Sequence, residues 1–409
     1  MTRERLDINS PTVHVVMYAM LLFVTPFILL QNFLQQAIGN MSRYSFQLFG
    51  MEVPWVVAVG IVVAIALVIV LRSYITMYRV LASIAVILMV AIAQSTTDYY
   101  FNHKFYDLQQ NWHYIAYGIF AFMMFRALKP KKVPASKIIL WTFIAALCIS
   151  SVDEGVQRFI SARVFDISDI AKDVWGVLLG LVAIYFVGES GSVVRRGWKL
   201  RQKRVADYFK KPFSLLVLEI LFAYVFLFLS SILSDSRFWY QVIAFTLAVF
   251  AIAFAVIHLS QKRGFRIAFI SVAAVIIILQ LVFFIKYHDA NIVCNSYGLT
   301  VYKGIPIIYF DILIHPNGMF RLVDKKHAFN QRDMQFFYHH ANDILLIGSG
   351  SEGKGGKGFP EVRETQFIFN PVTKRGLQVI IQKTPEAVKV FNRLKEEGKN
   401  VLFVIHNTC

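Results

Sequence analysis

Five carboxylates, two arginines and one lysine fall between Asp153 and Gly180, in DEGVQRFISARVFDISDIAKDVWGVLLG, and apolar runs flank the stretch on both sides. Ionisable groups at the ends of membrane helices are costly unless they are paired, wetted or used, so they are site candidates. Carboxylates placed close together shift one another's ionisation, which suits general acid–base work or divalent-cation binding. His113, Asp153, Glu154, Asp169 and Asp173 are the residues that would carry either chemistry. A plainer reading gives the same charges to a lattice of ion pairs and hydrogen bonds with Arg158, Arg163 and Lys172 that seals a loop. A third reading is a ligand site. No nucleophile–base pair is recognisable, so binding is expected rather than catalysis, with an intramembrane enzyme acting on a lipid-linked substrate, or a membrane anchor or scaffold for the C-terminal domain, as the alternatives.

The spacing is helical on both sides. Asp153/Gln157 and Glu154/Arg158 are i,i+4 pairs at the end of one helix. Asp169, Asp173, Gly176 and Gly180 recur at intervals of 4, 3 and 4, which puts two acids and two glycines on one stripe of the next helix. Small residues on that stripe allow a neighbouring helix to approach closely.

These residues resemble the VanZ family, named for an accessory glycopeptide-resistance protein. The matching positions are Asp153-Glu154, Gln157, Arg163, Asp169, Asp173, Gly176 and Gly180, with His113 and Tyr117 in WHYIAYG. Asp173 stands where the family pattern has an asparagine, which removes a donor and adds a charge. The resemblance covers about residues 75–190. It implies a multi-pass cell-envelope protein that binds an amphiphilic molecule, an envelope lipid headgroup or a glycopeptide-like ligand, through His113, Asp153, Glu154, Gln157, Arg163, Asp169 and Asp173.

The elements that position these residues are read from hydropathy. The chain has 409 residues, 57% of them hydrophobic, against roughly 45–50% in soluble domains. Several apolar runs reach the ~20 residues needed to cross a bilayer. A polytopic α-helical membrane protein with a C-terminal soluble α/β or α+β domain is therefore expected. Nine spans are placed at about 13–31, 54–72, 78–95, 111–128, 136–154, 168–187, 213–234, 238–259 and 265–285. Arg3 and Arg5 precede the first apolar run and no small-residue cleavage site follows, which reads as a retained span. The domains expected are N-terminal spans (1–74), the VanZ-like domain (75–190), a basic cytoplasmic linker (191–212), a three-span bundle (213–288) and the soluble domain (289–409).

The formal charge of +17 is a topology signal rather than a nucleic-acid signal. Twenty Lys and Arg residues fall in alternate loops that include the amino terminus, and six fall in the others. The bias orients the chain in the plasma (inner) membrane with its amino terminus cytoplasmic and its C-terminal domain outside, and it brings His113, Asp153–Gln157 and Asp169–Asp173 to the outer face. The segment RRGWKLRQKRVADYFKK reads as an orienting linker, with contact to anionic lipid as the alternative. Glu219 is an isolated acid in an apolar run and reads as a helix-contact hydrogen-bonding group.

From Asp289 onwards LTVY, IPIIYFDILI, DILLIGSG, LQVIIQ and NVLFVI read as strands. A helix is expected from Thr384, capped at its start, with Val388, Phe391 and Leu394 on its apolar side and Gly398 as its stop. The loop GSGSEGKGGKG nearly spells a phosphate-binding loop, but Gly355 replaces the Ser/Thr that would hold magnesium and no helix opens after it. It reads as a flexible glycine loop, with weak anion binding by Lys354 and Lys357 left open. This part resembles a small family shared by an archaeal protein of unassigned role, an adipogenesis-associated human protein and a mitochondrial complex I assembly factor. The residues that carry the likeness are Ile347-Gly348-Ser349-Gly350, Thr384, Ala387, Phe391-Asn392, Leu394, Glu397-Gly398 and Val401. It implies a fold and a protein-partner role more than a chemistry. Scattered histidines such as His339-His340 lack ligand spacing, and no cofactor or metal is expected. Of the three cysteines, Cys148 falls in a span, and Cys294 and Cys409 flank the last domain and could pair there.

Overall fold

The computed structural model describes residues 9–24, 44–48, 51–97, 108–157, 159, 165–194, 197–233, 239–325, 327–329, 331–340, 343–358, 365–370 and 375–408. Arg158, Arg163 and Cys409 lie outside these residues, and with them the expected Arg163 ligand contact and the Cys294–Cys409 pairing. Among the described residues Cys148 and Cys294 are exposed and form no disulfide.

Among the described residues ten α-helices precede the first strand of the C-terminal sheets: α1 (Pro11–Val24), α2 (Trp55–Val70), α3 (Met77–Thr97), α4 (Leu108–Leu128), α5 (Ala135–Gln157), α6 (Ile167–Val182), α7 (Val205–Lys210), α8 (Pro212–Ile232), α9 (Trp239–Leu259) and α10 (Arg263–Tyr287). A short antiparallel pair, β1 (Ser45–Leu48) and β2 (Met51–Pro54), stands before α2. Among the described residues six helices are long and apolar enough to cross a membrane: α3, α5, α6 with its continuation to Gly188, α8, α9 and α10. The count of nine is therefore not supported. Of the other three expected spans, α1 and α2 have 14 and 16 described residues, short of the ~20 that a bilayer core requires. The third, α4, opens on Leu108-Gln109-Gln110-Asn111, with His113 a turn later, which dilutes its apolar character.

One compact unit holds residues up to Thr97, His103–Phe228 and Ile243–His258. Its centre is α6, buried along nearly its whole length, with α4 and α5 against it. Gly176 and Gly180 make the contact with α4 possible. A Cβ on Gly176 would stand 2.8 Å from the His113 carbonyl oxygen, and one on Gly180 would stand 2.7 Å from that of Gly118. Past Val182 the helix widens to π geometry over Ala183–Gly188. Arg79 of α3 closes that end, donating from Nε to the Val187 carbonyl at 3.0 Å. A cation there satisfies carbonyls that have no partner within the helix. Trp175 of α6 donates its indole N–H to the Met89 carbonyl of α3 at 3.3 Å.

The second unit contains Leu229–Val242 and Leu259–Cys409. Strands β3 (Ile292–Ser296), β4 (Leu299–Tyr302) and β5 (Ile305–Ile308) form an antiparallel sheet. Its β4–β5 turn sits on α10, where Gln280 donates to the Gly304 carbonyl at 2.9 Å. A six-stranded sheet has the order β7-β6-β11-β8-β10-β9. Its members are β6 (Asp311–Ile314), β7 (Phe320–Val323), β8 (Ile344–Gly348), β9 (Thr365–Asn370), β10 (Arg375–Gln382) and β11 (Val401–Ile405). The three central strands β11, β8 and β10 are parallel, and antiparallel partners cover both edges. Helix α11 (Gln331–His340) precedes β8, and α12 (Thr384–Glu396) returns the chain from β10 to β11. The core joins Val388, Phe391 and Leu394 of α12 to Ile314, Leu346 and Phe403.

Two local expectations change. IPIIYFDILI is two strands, because Tyr309 takes a left-handed φ of 71° and turns the chain between β5 and β6. Thr384 does not cap α12. The cap residue is Lys383, without a side-chain bond, and the Thr384 hydroxyl instead donates to the His406 carbonyl at 2.9 Å and accepts from Gly350 N–H at 2.8 Å. Gly398 has a φ of 73°, as a helix stop requires.

Candidate functional site

The site grows from the buried stripe of α5, which runs through Ile139, Thr142, Ala146, Ser150, Glu154 and Gln157. Helical periodicity puts these residues on one face, and the last three are polar. The α6 stripe meets them with Asp173, and α4 contributes His113 from its first turns.

Asp173 is the junction. Its Oδ1 lies 2.8 Å from His113 Nδ1, and its Oδ2 accepts from the Ser150 hydroxyl at 2.6 Å. The Tyr117 hydroxyl, one turn beyond His113 on α4, stands next to both Ser150 and Asp173. The carboxylate is buried, with 5% of its side chain exposed, whereas His113 keeps 23%. A buried carboxylate that accepts from an imidazole and a hydroxyl has its charge compensated on both oxygens.

Asp169, one turn earlier on α6, lies at the more open edge. Its Oδ1 accepts from Lys172 Nζ at 2.7 Å and is 3.7 Å from His113 Nε2, with 27% of the side chain exposed. His113 thus stands between two carboxylates, one sealed and one accessible.

Glu154 and Gln157 build a second group. Gln157 donates to Glu154 Oε1 at 3.1 Å and to Asp153 Oδ2 at 3.2 Å, so the expected Asp153/Gln157 pairing is present. Glu154 Oε2 accepts from the Asp166 backbone N–H at 3.1 Å, which ties α5 to the start of α6. Asp166 caps α6 by accepting from Ser168 N–H at 2.8 Å. Asp169 is near enough to Glu154 for their charges to act on one another.

Of the residues expected from sequence, His113, Asp169 and Asp173 form one cluster, and Asp153, Glu154 and Gln157 form the adjoining one. Ser150 was not anticipated. Its signal was present, four residues before Glu154 on the same face, but a serine in an apolar helix is more often bonded to its own backbone. Lys172, expected only as part of a sealing lattice, neutralises Asp169. Among the described residues no group of three His, Cys, Asp or Glu side chains is placed to hold a metal ion.

Comparison with known proteins bears on the other end of the chain. Residues 293–406 match a family described as a protein of unknown function, DUF498/DUF598. The C-terminal resemblance read from sequence is to this family. An uncharacterized protein of Saccharomyces cerevisiae is 41% identical over 58 residues, which are 13% of this chain and 53% of that protein. The chain spans about half the length of that curated relative. The solved structure of MT938 is 21% identical and is matched over 29% of this chain and 98% of that one, with a TM-score of 0.23.

Proposed function

We propose that the chain is a multi-pass protein of the cell envelope whose VanZ-like half holds an amphiphilic ligand at the outer leaflet without transforming it. The main support is the half-open His113–Asp169 edge above the sealed Asp173–Ser150 pair. A lipid headgroup or a glycopeptide-like molecule carrying an amine would meet Asp169 there, and Arg163 would take a phosphate or carboxylate. The apolar part of the ligand would lie along the helices. The six apolar helices favour membrane residence; the loop-charge bias favours the amino terminus inside, and a sheet domain outside then requires an odd number of spans, as in the nine-span reading of those loops. That domain would serve as the surface for a protein partner.

An enzyme is the second reading, and one observation favours it. Nδ1 of His113 is held by a buried carboxylate while Nε2 points to the accessible side, an arrangement that orients an imidazole as a base. The experiment compares wild type with Asp169→Asn and Arg163→Gln, purified from membranes, by mass spectrometry of co-purifying lipids. Retention lost at unchanged abundance supports binding. Unchanged retention points to a pure membrane anchor, and loss of both variants from the membrane to a structural lattice. Turnover of a lipid-linked substrate, abolished by His113→Ala, would move the function to catalysis.

A further inference from the structure

We propose that His406 and Asp311, beneath the glycine-rich loop of the sheet domain, form a binding site for a small ligand that presents an O–H or N–H donor to His406 Nε2. Neither residue belongs to the membrane cluster. Asp311 opens β6 and His406 follows the last residue of β11, and the two strands are hydrogen-bonded neighbours. His406 Nδ1 is 2.7 Å from Asp311 Oδ2, and Asp311 Oδ1 accepts from Asn407 N–H at 2.9 Å. Their side chains are 1% and 0% exposed.

An ionised carboxylate only accepts, so Nδ1 carries the proton and Nε2 is left as the acceptor. That nitrogen is buried and has no hydrogen-bond partner among the described residues. Buried polar atoms are nearly always satisfied, and an orphan of this kind marks a place where a donor from outside the chain fits.

The position agrees with that reading. His406 lies at the carboxyl ends of the parallel strands β11, β8 and β10, where the loops that follow all three converge. Its N–H donates to the Gly348 carbonyl at 3.0 Å, and its carbonyl accepts from Thr384 at the head of α12. Open sheets with parallel strands take their ligands at this end. His327 lies nearly parallel to the imidazole with centroids 6.4 Å apart, and Phe329 lies at 5.8 Å, so the walls are aromatic.

The glycine loop is the cover. A Cβ on Gly355 would stand 2.7 Å from His406 Cδ2 and 3.1 Å from Nε2, so bare backbone rests on the ring edge. Gly350, Gly353, Gly356 and Gly358 all have positive φ, conformations that only glycine adopts freely. A loop of this composition yields to a small ligand at little cost in side-chain packing. Among the described residues no helix follows it as a phosphate site requires, β9 being the next described element.

The test uses the full-length protein in detergent and diethyl pyrocarbonate, which acylates an unprotonated imidazole nitrogen. Peptide mass spectrometry reads His406 separately from His288, whose side chain is 51% exposed. His406 should be acylated in the folded protein as the glycine loop opens, more slowly than exposed His288 but without denaturation. Asp311→Asn, which can turn the free lone pair inward, should slow that reaction about tenfold or more. Gly355→Ala, which lifts the loop off the ring, should speed it and serves where Asp311→Asn does not fold. If His406 reacts only after denaturation, or if neither substitution changes its rate, it is a core histidine and the proposal fails.

Discussion

Gly180 of α6 faces Gly118 of α4 so closely that a Cβ on Gly180 would lie 2.7 Å from the Gly118 carbonyl oxygen and 2.9 Å from its Cα. Both obstacles are backbone, which cannot rotate away. This approach sets the depth at which α6 seats against α4 and so fixes how far Asp173 is from His113.

Gly180→Ala should therefore destabilise the purified protein by about 1–3 kcal/mol, the usual cost of overpacking. Gly155, on α5, has nothing within 4 Å of its Cβ position. Gly155→Ala should be neutral or stabilising by up to about 1 kcal/mol through helix propensity. Thermal unfolding in detergent compares the two, and equal effects would refute the packing account.

Ser150 and His113 share one carboxylate, so their contributions should not add. Ser150→Ala and His113→Gln are each expected to cost about 0.5–3 kcal/mol, since each removes one bond to buried Asp173. The double variant should depart from the sum by at least ~0.5 kcal/mol. A double-mutant cycle on unfolding measures the coupling, and additivity would mean that Asp173 does not link them.

Thr384 joins the glycine loop to the end of β11 through two buried hydrogen bonds. Thr384→Val keeps the shape and removes both, and should lower stability by about 1–3 kcal/mol. Limited trypsin digestion at Lys354 should quicken in parallel. Unchanged digestion would show that the hydroxyl does not hold the loop.

His315 follows β6 in the sheet domain, where partial burial, with lesser contributions from His340 and Arg321, pulls its pKa below the ordinary 6.5. The unfolded chain then binds more protons than the folded one as pH falls through that value. Stability is fully present above pH 6.5 and declines below it, down to the folded pKa. His315→Gln should flatten this limb between about pH 7 and 5. Chemical denaturation at the two values checks it, and an unchanged slope assigns the acid loss to other groups.

Cys294 is exposed on β3. In a Cys148→Ser, Cys409→Ser background, a membrane-impermeant maleimide should label it in intact cells if the sheet domain is outside. Labelling only after permeabilisation would reverse the orientation drawn from the loop charges.

The sequence by itself determined the faces. The 4-3-4 interval put Asp169, Asp173, Gly176 and Gly180 on one stripe of α6, and the apolar and β-branched runs marked β4, β8, β10 and β11, because helix and strand periods are local properties of the backbone. Length and composition also announced the apolar helices, of which six among the described residues are long enough to span, so the nine expected are not supported. Residues 13–31 and 54–72 read as spans by hydropathy, whereas α1 and α2 have 14 and 16 described residues. Only the tertiary structure decided which groups meet. Ser150 reaches Asp173 across 23 residues and His113 across 60, while His406 finds Asp311 across 95. A period names the face a side chain occupies, not the neighbour packed against it. That neighbour depends on helix approach and strand order, here set by Gly176 and Gly180 against α4 and by β11 lying between β6 and β8. The Tyr309 turn and the Thr384 bonds escaped for the same reason: both are settled by contacts distant in the chain, which override local preference.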